Sequence, residues 1–456
     1  QLSNTQLDMQ DLRLPFHDVN SNLSYDSTNG LQAPAIKATL FNKVVTATID
    51  SKKSTQGSTI QIAANSSANM SDIAAWANIT PLKMLTGSAD YSIGVQLGPF
   101  NHQKNSERIG QVQVNSQLKQ ISAVLPEPFT KNAGEAAPFT MTVDLLSNSR
   151  QRYRFNYDQL ITGTLTAHEG SLTGGDIQLL GDTANTSNLN AIENSGELLI
   201  HGNLSNADIQ QWIDMVASYN KLIGSQSNNT GNTIFPSISL TANNATWKDF
   251  VFSSLAVNAD HNNSAWNLSI NTKEAQGKIL FYDSGKTPDV IVDTLTINRS
   301  KTKNNDSNLN KATQNNIDFS TIPALNIKID HLIVDAMDIG SISTALRSTP
   351  TTLQLNNLKV VGKGYWLRDG SGLNGSTLLW HQKPDGSTSS EFHGLLQMSG
   401  EQPVLEHLGI DPFIIGKRVS IFADLSWPGA PQDIDINTMA GSVYTEGRDG
   451  KYLQAK

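Results

Sequence analysis

The stretch that decides the fold is LNIKIDHLIVDAMDIGSISTALRSTPTTLQLNNLKV, residues 325–360. Apolar residues alternate with polar ones at Leu325, Ile327 and Ile329, and again at Leu353 and Leu355. Successive side chains of a strand point to opposite faces, so a period of two marks strands with one apolar and one wet face. The pattern continues through GSTLLWHQKPDG (375–386). After a segment read as a connecting helix comes VSIFADLSWPGAPQDIDINTMAGSVYTEGRDG (419–450), where Val419, Ile421, Ala423, Leu425 and Trp427 share one parity. Turn-forming triplets such as Pro384-Asp385-Gly386 and Arg368-Asp369-Gly370 separate the runs. Short consecutive strands joined in this way predict an antiparallel meander.

The same alternation extends toward the N-terminus. It occurs at Leu12 and Leu14, at Val45, Ala47 and Ile49, at Ile60 and Ile62, and most cleanly at Tyr91, Ile93, Val95 and Leu97. Val112 and Val114 follow, then Phe139, Met141, Val143 and Leu145. Tyr153, Phe155 and Tyr157 put three aromatics on one face, with Arg152 and Arg154 on the other. Leu255, Val257 and Ala259, then Trp266, Leu268 and Ile270, read as a hairpin across 260–264. Two segments break the period. Ser71-Asp72 opens a short helix that Pro81 ends, and Ile209, Trp212, Ile213 and Val216 mark the face of a longer one, with Asn206 as cap and Gly224 near its end. The polar run SKTKNNDSNLNKATQNN (300–316) reads as a disordered loop.

A loose repeat, a strand followed by a D-I-x-x-W helix start, occurs at 60–76 and 199–212, with a worn version at 392–409. The expected organisation is four strand-rich modules: 1–80, 81–224, 225–320 and 321–456, together forming one continuous groove.

Composition narrows the functions. Only 16% of the 456 residues are charged and 38% are hydrophobic, which suits a thin sheet better than a dense α/β core. A formal net charge of −8 argues against a nucleic-acid surface. The absence of cysteine excludes disulfides, thiolate metal sites and cysteine nucleophiles, and fits an oxidising compartment such as a bacterial periplasm. No apolar run reaches the ~18–20 residues of a membrane-spanning helix. The start at Gln1 reads as the interior of a longer protein.

The candidate chemical motifs fail on inspection. Gly285-Lys286-Thr287 ends like a phosphate-binding loop, but Leu280 stands where the first glycine belongs. Asp433-x-Asp435-x-Asn437 opens like a calcium loop, but Thr438 and Tyr444 replace its glycine and glutamate. A strand with outward carboxylates is the simpler reading there. The nine histidines are dispersed with no zinc-helix spacing, and no G-x-S-x-G elbow occurs. The 153–157 aromatic stripe could stack sugars, although at strand spacing it reads first as a buried face. The chain is therefore read as a non-enzyme without metal or cofactor. The residues leave two ways to hide an apolar face: folding the sheet on itself, or curling it into a trough that something else covers.

A resemblance adds to this. Leu425-Ser426-Trp427-Pro428-Gly429-Ala430-Pro431, followed by Asn437 to Gly441 and the Arg448-Asp449-Gly450 turn, is similar to the C-terminal part of the AsmA-like YhdP family. Leu125-Pro126-Glu127-Pro128-Phe129-Thr130-Lys131 and the helix starts at Asp72–Trp76 and Asp208–Trp212 resemble further segments of it. The resemblance implies an elongated, curved antiparallel β-sheet forming a hydrophobic groove, with a few short helices. It implies a periplasmic protein of a Gram-negative bacterium, held in the inner membrane by an N-terminal anchor outside this chain. It implies a bridge-like lipid-transport segment whose groove shields phospholipid acyl chains during movement between inner and outer membrane, with phospholipids and outer-membrane components as partners. On this reading the groove lining includes Leu255, Val257, Trp266, Leu268, Ile270, Leu325, Ile327, Ile329, Leu353, Leu355, Val419, Ile421 and Leu425. Two alternatives stand beside it: an envelope scaffold or assembly factor that binds outer-membrane protein strands at a sheet edge, and a carbohydrate-binding β-protein.

Overall fold

A computed structural model describes residues 1–9, 14–54, 57–77, 79–100, 108–179, 196–224, 234–247, 250–262, 264–297, 319, 322–334, 337–368, 375–399, 414–431 and 433–452. The expected connecting helix before Val419 and the 300–316 loop lie outside these residues. The fold is mostly β, as the alternation predicts. Two units are present, Gln1–Ala256 and Val257–Lys456.

The first unit opens with β1 (Leu2–Met9), β2 (Leu14–Ser21), β3 (Ser24–Asp26), β4 (Gly30–Leu40), β5 (Lys43–Ser54) and β6 (Gly57–Asn69). Helix α1 (Met70–Ala77) and a 3-10 turn (Thr80–Met84) follow, so Pro81 opens a new turn instead of merely ending the helix. Next come β7 (Leu85–Phe100), β8 (Arg108–Ser116), β9 (Gln120–Ala123), β10 (Phe139–Leu146), β11 (Arg150–Tyr157), β12 (Ile161–His168) and β13 (Ser171–Leu179). The unit continues with β14 (Leu198–Asp208), α2 (Ile209–Gly224) and β15 (Pro236–Trp247). Strand β16 (Phe250–Asn262) contributes residues to both units.

The second unit continues with β17 (Ala265–Asn271), β18 (Ala275–Tyr282), β19 (Asp289–Ile297), β20 (Leu325–Val334), β21 (Met337–Thr349) and β22 (Thr352–Gly362). Strands β23 (Tyr365–Arg368), β24 (Ser376–Gln382), β25 (Thr388–Ser399), β26 (Ile414–Pro428) and β27 (Ala440–Tyr452) complete it. The deciding stretch thus becomes β20, β21 and most of β22, paired antiparallel in sequence order.

Two expectations change. The sheet is mixed, because β13–β14, β14–β15 and β19–β20 pair in parallel. Parallel neighbours need a connection that returns the chain to its starting end, and the three longest connections between strands lie at these junctions. The cap of α2 is Asp208, whose Oδ1 accepts the backbone N–H groups of Gln210 (2.9 Å) and Gln211 (3.3 Å). Asn206 still belongs to β14, in register with Asn244.

The cores are small and local. Val19, Ala38, Leu40 and Val45 form one cluster, Met70, Ala89 and Ile121 another, and Tyr365, Met398 and Val419 a third. Alanines such as Ala33, Ala68 and Ala245 make up many of the buried apolar residues, and the largest completely buried apolar side chains are Phe319 and Ile121. Two sheets packed face to face would bury whole rows of large residues. Among the described residues such rows stay half-buried. No helix among them is long and apolar enough to cross a membrane.

Candidate functional site

Directly paired residues in adjacent strands point to the same face of the sheet, so the registers show what each face carries. In the second unit one row runs Leu325, Leu346, Leu355, Leu378, Phe392, Leu425 across β20, β21, β22, β24, β25 and β26. A second row runs Ile270, Gly277, Val292, Ile329, Ile342, Val360, then Leu367, Leu396 and Ile421 through β23. Leu268, Ile279, Val290 and Ile327 make a shorter row between them. The other face reads Gln354, Leu379, Glu391, Ser426, and Lys328, Ser343, Lys359. One face is apolar from β17 to β26, and the other is mainly polar.

The first unit repeats this. Ile49, Ile62, Val95, Val112, Val143, Tyr153 and Leu165 form one row. Between this row and the next in-phase row, the opposite face reads Thr48, Ala63, Gly94, Gln113, Thr142, Arg154 and Thr164. Asp144 is buried on that polar face, with its carboxylate accepting from Gln111 and Arg154, both at 2.8 Å. The aromatic stripe lies on the apolar face, half-buried, with Tyr153, Phe155 and Tyr157 opposite Val143, Met141 and Phe139.

Eleven of the thirteen nominated residues therefore share one face of the second unit: Trp266, Leu268, Ile270, Leu325, Ile327, Ile329, Leu353, Leu355, Val419, Ile421 and Leu425. Val419 is buried and the other ten are half-buried. Leu255 is buried and Val257 half-buried on β16, which the described ladders do not include. The first unit carries comparable apolar rows beyond the expected lining, with Ile62, Val95 and Val112 in the same alternation. On β19 and β24 adjacent apolar pairs (Val290-Ile291, Leu378-Leu379) hide the parity, and only pairing resolves it.

Aromatic rings on this face lie down over glycines. A Cβ at Gly163 would come within 2.5 Å of the Phe155 ring, and one at Gly362 within 2.2 Å of the Tyr365 ring. Tyr365 donates its hydroxyl to the Ile339 carbonyl at 2.8 Å, and burial pushes its phenol above the ordinary value. At one strand end Phe319 packs edge-on against Trp380, ring centres 4.8 Å apart. Trp427 closes the same end, its indole N–H on the Ala430 carbonyl at 3.0 Å. In the first unit Met70 and Ile73 of α1 cover the apolar face at Ala89 and Ile121. The caps sit at strand ends.

The motifs set aside in sequence are turns. Asp435 Oδ1 accepts the Asn437 N–H at 2.9 Å and Asp433 Oδ2 accepts the Ala430 N–H at 2.8 Å. The segment is therefore a turn, not the strand with outward carboxylates expected, because each carboxylate satisfies nearby backbone. Gly285 lies in the turn after β18 with φ of 72°, and Lys286 reaches Asp289 at 3.3 Å. Among the described residues no cluster of metal-ligating side chains occurs.

The family model for YhdP protein matches residues 1–456. No curated protein and no solved structure matches.

Proposed function

The chain belongs to the YhdP family, an AsmA-like family of the bacterial cell envelope, and from that premise we propose that it is a segment of a periplasmic lipid-transport bridge. Its apolar face shields phospholipid acyl chains from water while they move between inner and outer membrane, and an N-terminal anchor outside this chain holds the protein in the inner membrane. The observation that carries the reading is the row structure. Large apolar residues align on one face through consecutive strands, yet stay half-buried because no described sheet or helix covers the middle of the strands. A continuous apolar strip left partly open to water is costly unless something occupies it. An acyl chain fits, since each methylene moved out of water contributes ~0.8 kcal/mol. Shielding of this sort needs no bond making, nucleotide or metal.

Native mass spectrometry with lipid extraction, on protein purified without detergent, tests this. Co-purifying phospholipid that is lost in Leu355→Asp is the expected result. A lipid-free protein indistinguishable from Leu355→Asp would reject the reading and favour an envelope scaffold.

A further inference from the structure

The apolar face of the second unit ends differently at its two strand ends. Along β26 the residues of one parity run Leu425, Ala423, Ile421, Val419, then Lys417. On β27 Lys451 sits opposite Ile415, on the same parity as Lys417. Lys363 occupies the β22–β23 turn beside Tyr365, which packs with Met398 and Val419. Lys417 is 79% exposed and only loosely paired, its Nζ 3.9 Å from the Asp449 carboxylate, while Lys363 and Lys451 have no ion-pair partner among the described residues. Arg418 is likewise unpaired, and Arg448 is held by Glu446 at 3.2 Å. The opposite end is acidic. Asp289, the first residue of β19, and the turn residues Asp385 and Asp433 stand there against Lys286 and Lys383. At the lysine end the carboxylates are Asp338, close enough to act on Tyr365, and Glu446 and Asp449, which pair with Arg448 and Lys417.

We propose that the strand end bearing Lys363, Lys417 and Lys451 seats the anionic headgroup of a lipid whose acyl chain lies on Val419, Ile421 and Leu425. This rests on the lipid-shielding reading and adds to it a polarity and a headgroup class. A cation at the end of an apolar stripe keeps its ammonium in water while its stem extends the apolar surface. A phosphate there meets three cations in near-bulk solvent, so the preference is modest and sensitive to salt. The acidic end repels the same group, which sets the direction of the acyl chain along the strands.

The test compares two probes that carry the same fluorescent acyl chain, one with a phosphoglycerol and one with a phosphocholine headgroup, on the whole chain. The phosphoglycerol probe should bind about tenfold more tightly in dilute buffer, the advantage vanishing near ~1 M salt. Lys363→Gln/Lys417→Gln/Lys451→Gln should abolish the preference and leave phosphocholine binding intact. Lys286→Gln/Lys383→Gln at the acidic end should leave the preference in place. Equal binding of both probes by the unaltered protein, or a preference that survives the triple substitution, overturns the headgroup assignment alone. Failure of the unaltered protein to bind either probe overturns the lipid reading itself.

Discussion

Lys131 shows how one side chain can shape a segment. It is 5% exposed, and its ammonium donates to the carbonyls of Ile121 (2.9 Å), Asn132 (3.2 Å) and Glu135 (2.8 Å). Burial draws its pKa below the ordinary lysine value. The lysine of the Leu125–Lys131 segment therefore closes the loop between β9 and β10, and Phe129 on that loop meets Trp212 of α2 edge-on at 6.2 Å. Lys131→Met leaves three carbonyls without a donor, and should lower the local opening free energy of residues 123–137 by about 1–3 kcal/mol. Amide exchange at Phe129, Gly134 and Ala137 measures it, and unchanged rates would contradict the clamp. Asp289 gives a residue-level pH dependence. The Tyr282 hydroxyl (2.6 Å), the Asn326 amide (2.8 Å) and Lys286 hold its carboxyl below the ordinary value. A carboxylate with a lowered folded pKa adds stability above its unfolded pKa, and loses it as pH falls through the folded value. Tyr282→Phe removes the largest cause, so Asp289 should titrate at higher pH, and the stability lost on acidification should be smaller and complete at a higher pH. Carboxyl NMR titration of the two proteins reads the shift, and coincident curves would refute it.

At the scale of elements, the helix after β14 separates what sequence carries from what it conceals. The spacing of Ile209, Trp212, Ile213 and Val216 places the helix within a residue or two of its actual start, because an amphipathic period is a property of the segment alone. The cap is Asp208 and not Asn206 because strand and helix abut without a loop, and β14 keeps its ladder with β15 through Asp208. Asp208→Ala should destabilise the first turn of α2 by about 1 kcal/mol, while Asn206→Ala should leave it unchanged. Exchange rates at Gln210 and Gln211 decide, and equal effects from both substitutions would refute the assignment. The parallel ladders were concealed for a related reason. Alternation gives each strand its faces but not its direction, and direction depends on the connections at 180–197, 209–235 and 298–324. Where β-bulges shift the register, as between Ser343 and Ala345 against β22, the parity of a run changes midway. No count of alternating residues anticipates that.

At the scale of the whole molecule, both units present one apolar and one polar face, and both leave the middle of the apolar rows half-buried. The low charged fraction and modest hydrophobic content accompany this: one face is polar, the other is apolar and half-buried, and among the described residues little forms a second packed layer. The faces were legible from periodicity alone. Their continuity from strand to strand was not, because it depends on pairing between segments far apart in sequence. That continuity separates a conduit from a collection of local apolar spots, and it can be tested one side at a time. Ile329, Leu355 and Ile421 lie on the apolar face, while Lys328 and Gln354 are their immediate neighbours on the polar one. Ile329→Asp, Leu355→Asp and Ile421→Asp should each reduce crosslinking to a photoreactive phospholipid several-fold, because a carboxylate beside an acyl chain must either lose its water or expel the chain. Lys328→Asp and Gln354→Asp, made in the same ladders, should leave crosslinking unchanged. Circular dichroism checks that each variant keeps its strands. If the polar-face variants lose lipid as readily as the apolar-face ones, the rows traced through the registers are not the surface that holds the chains, however continuous they are.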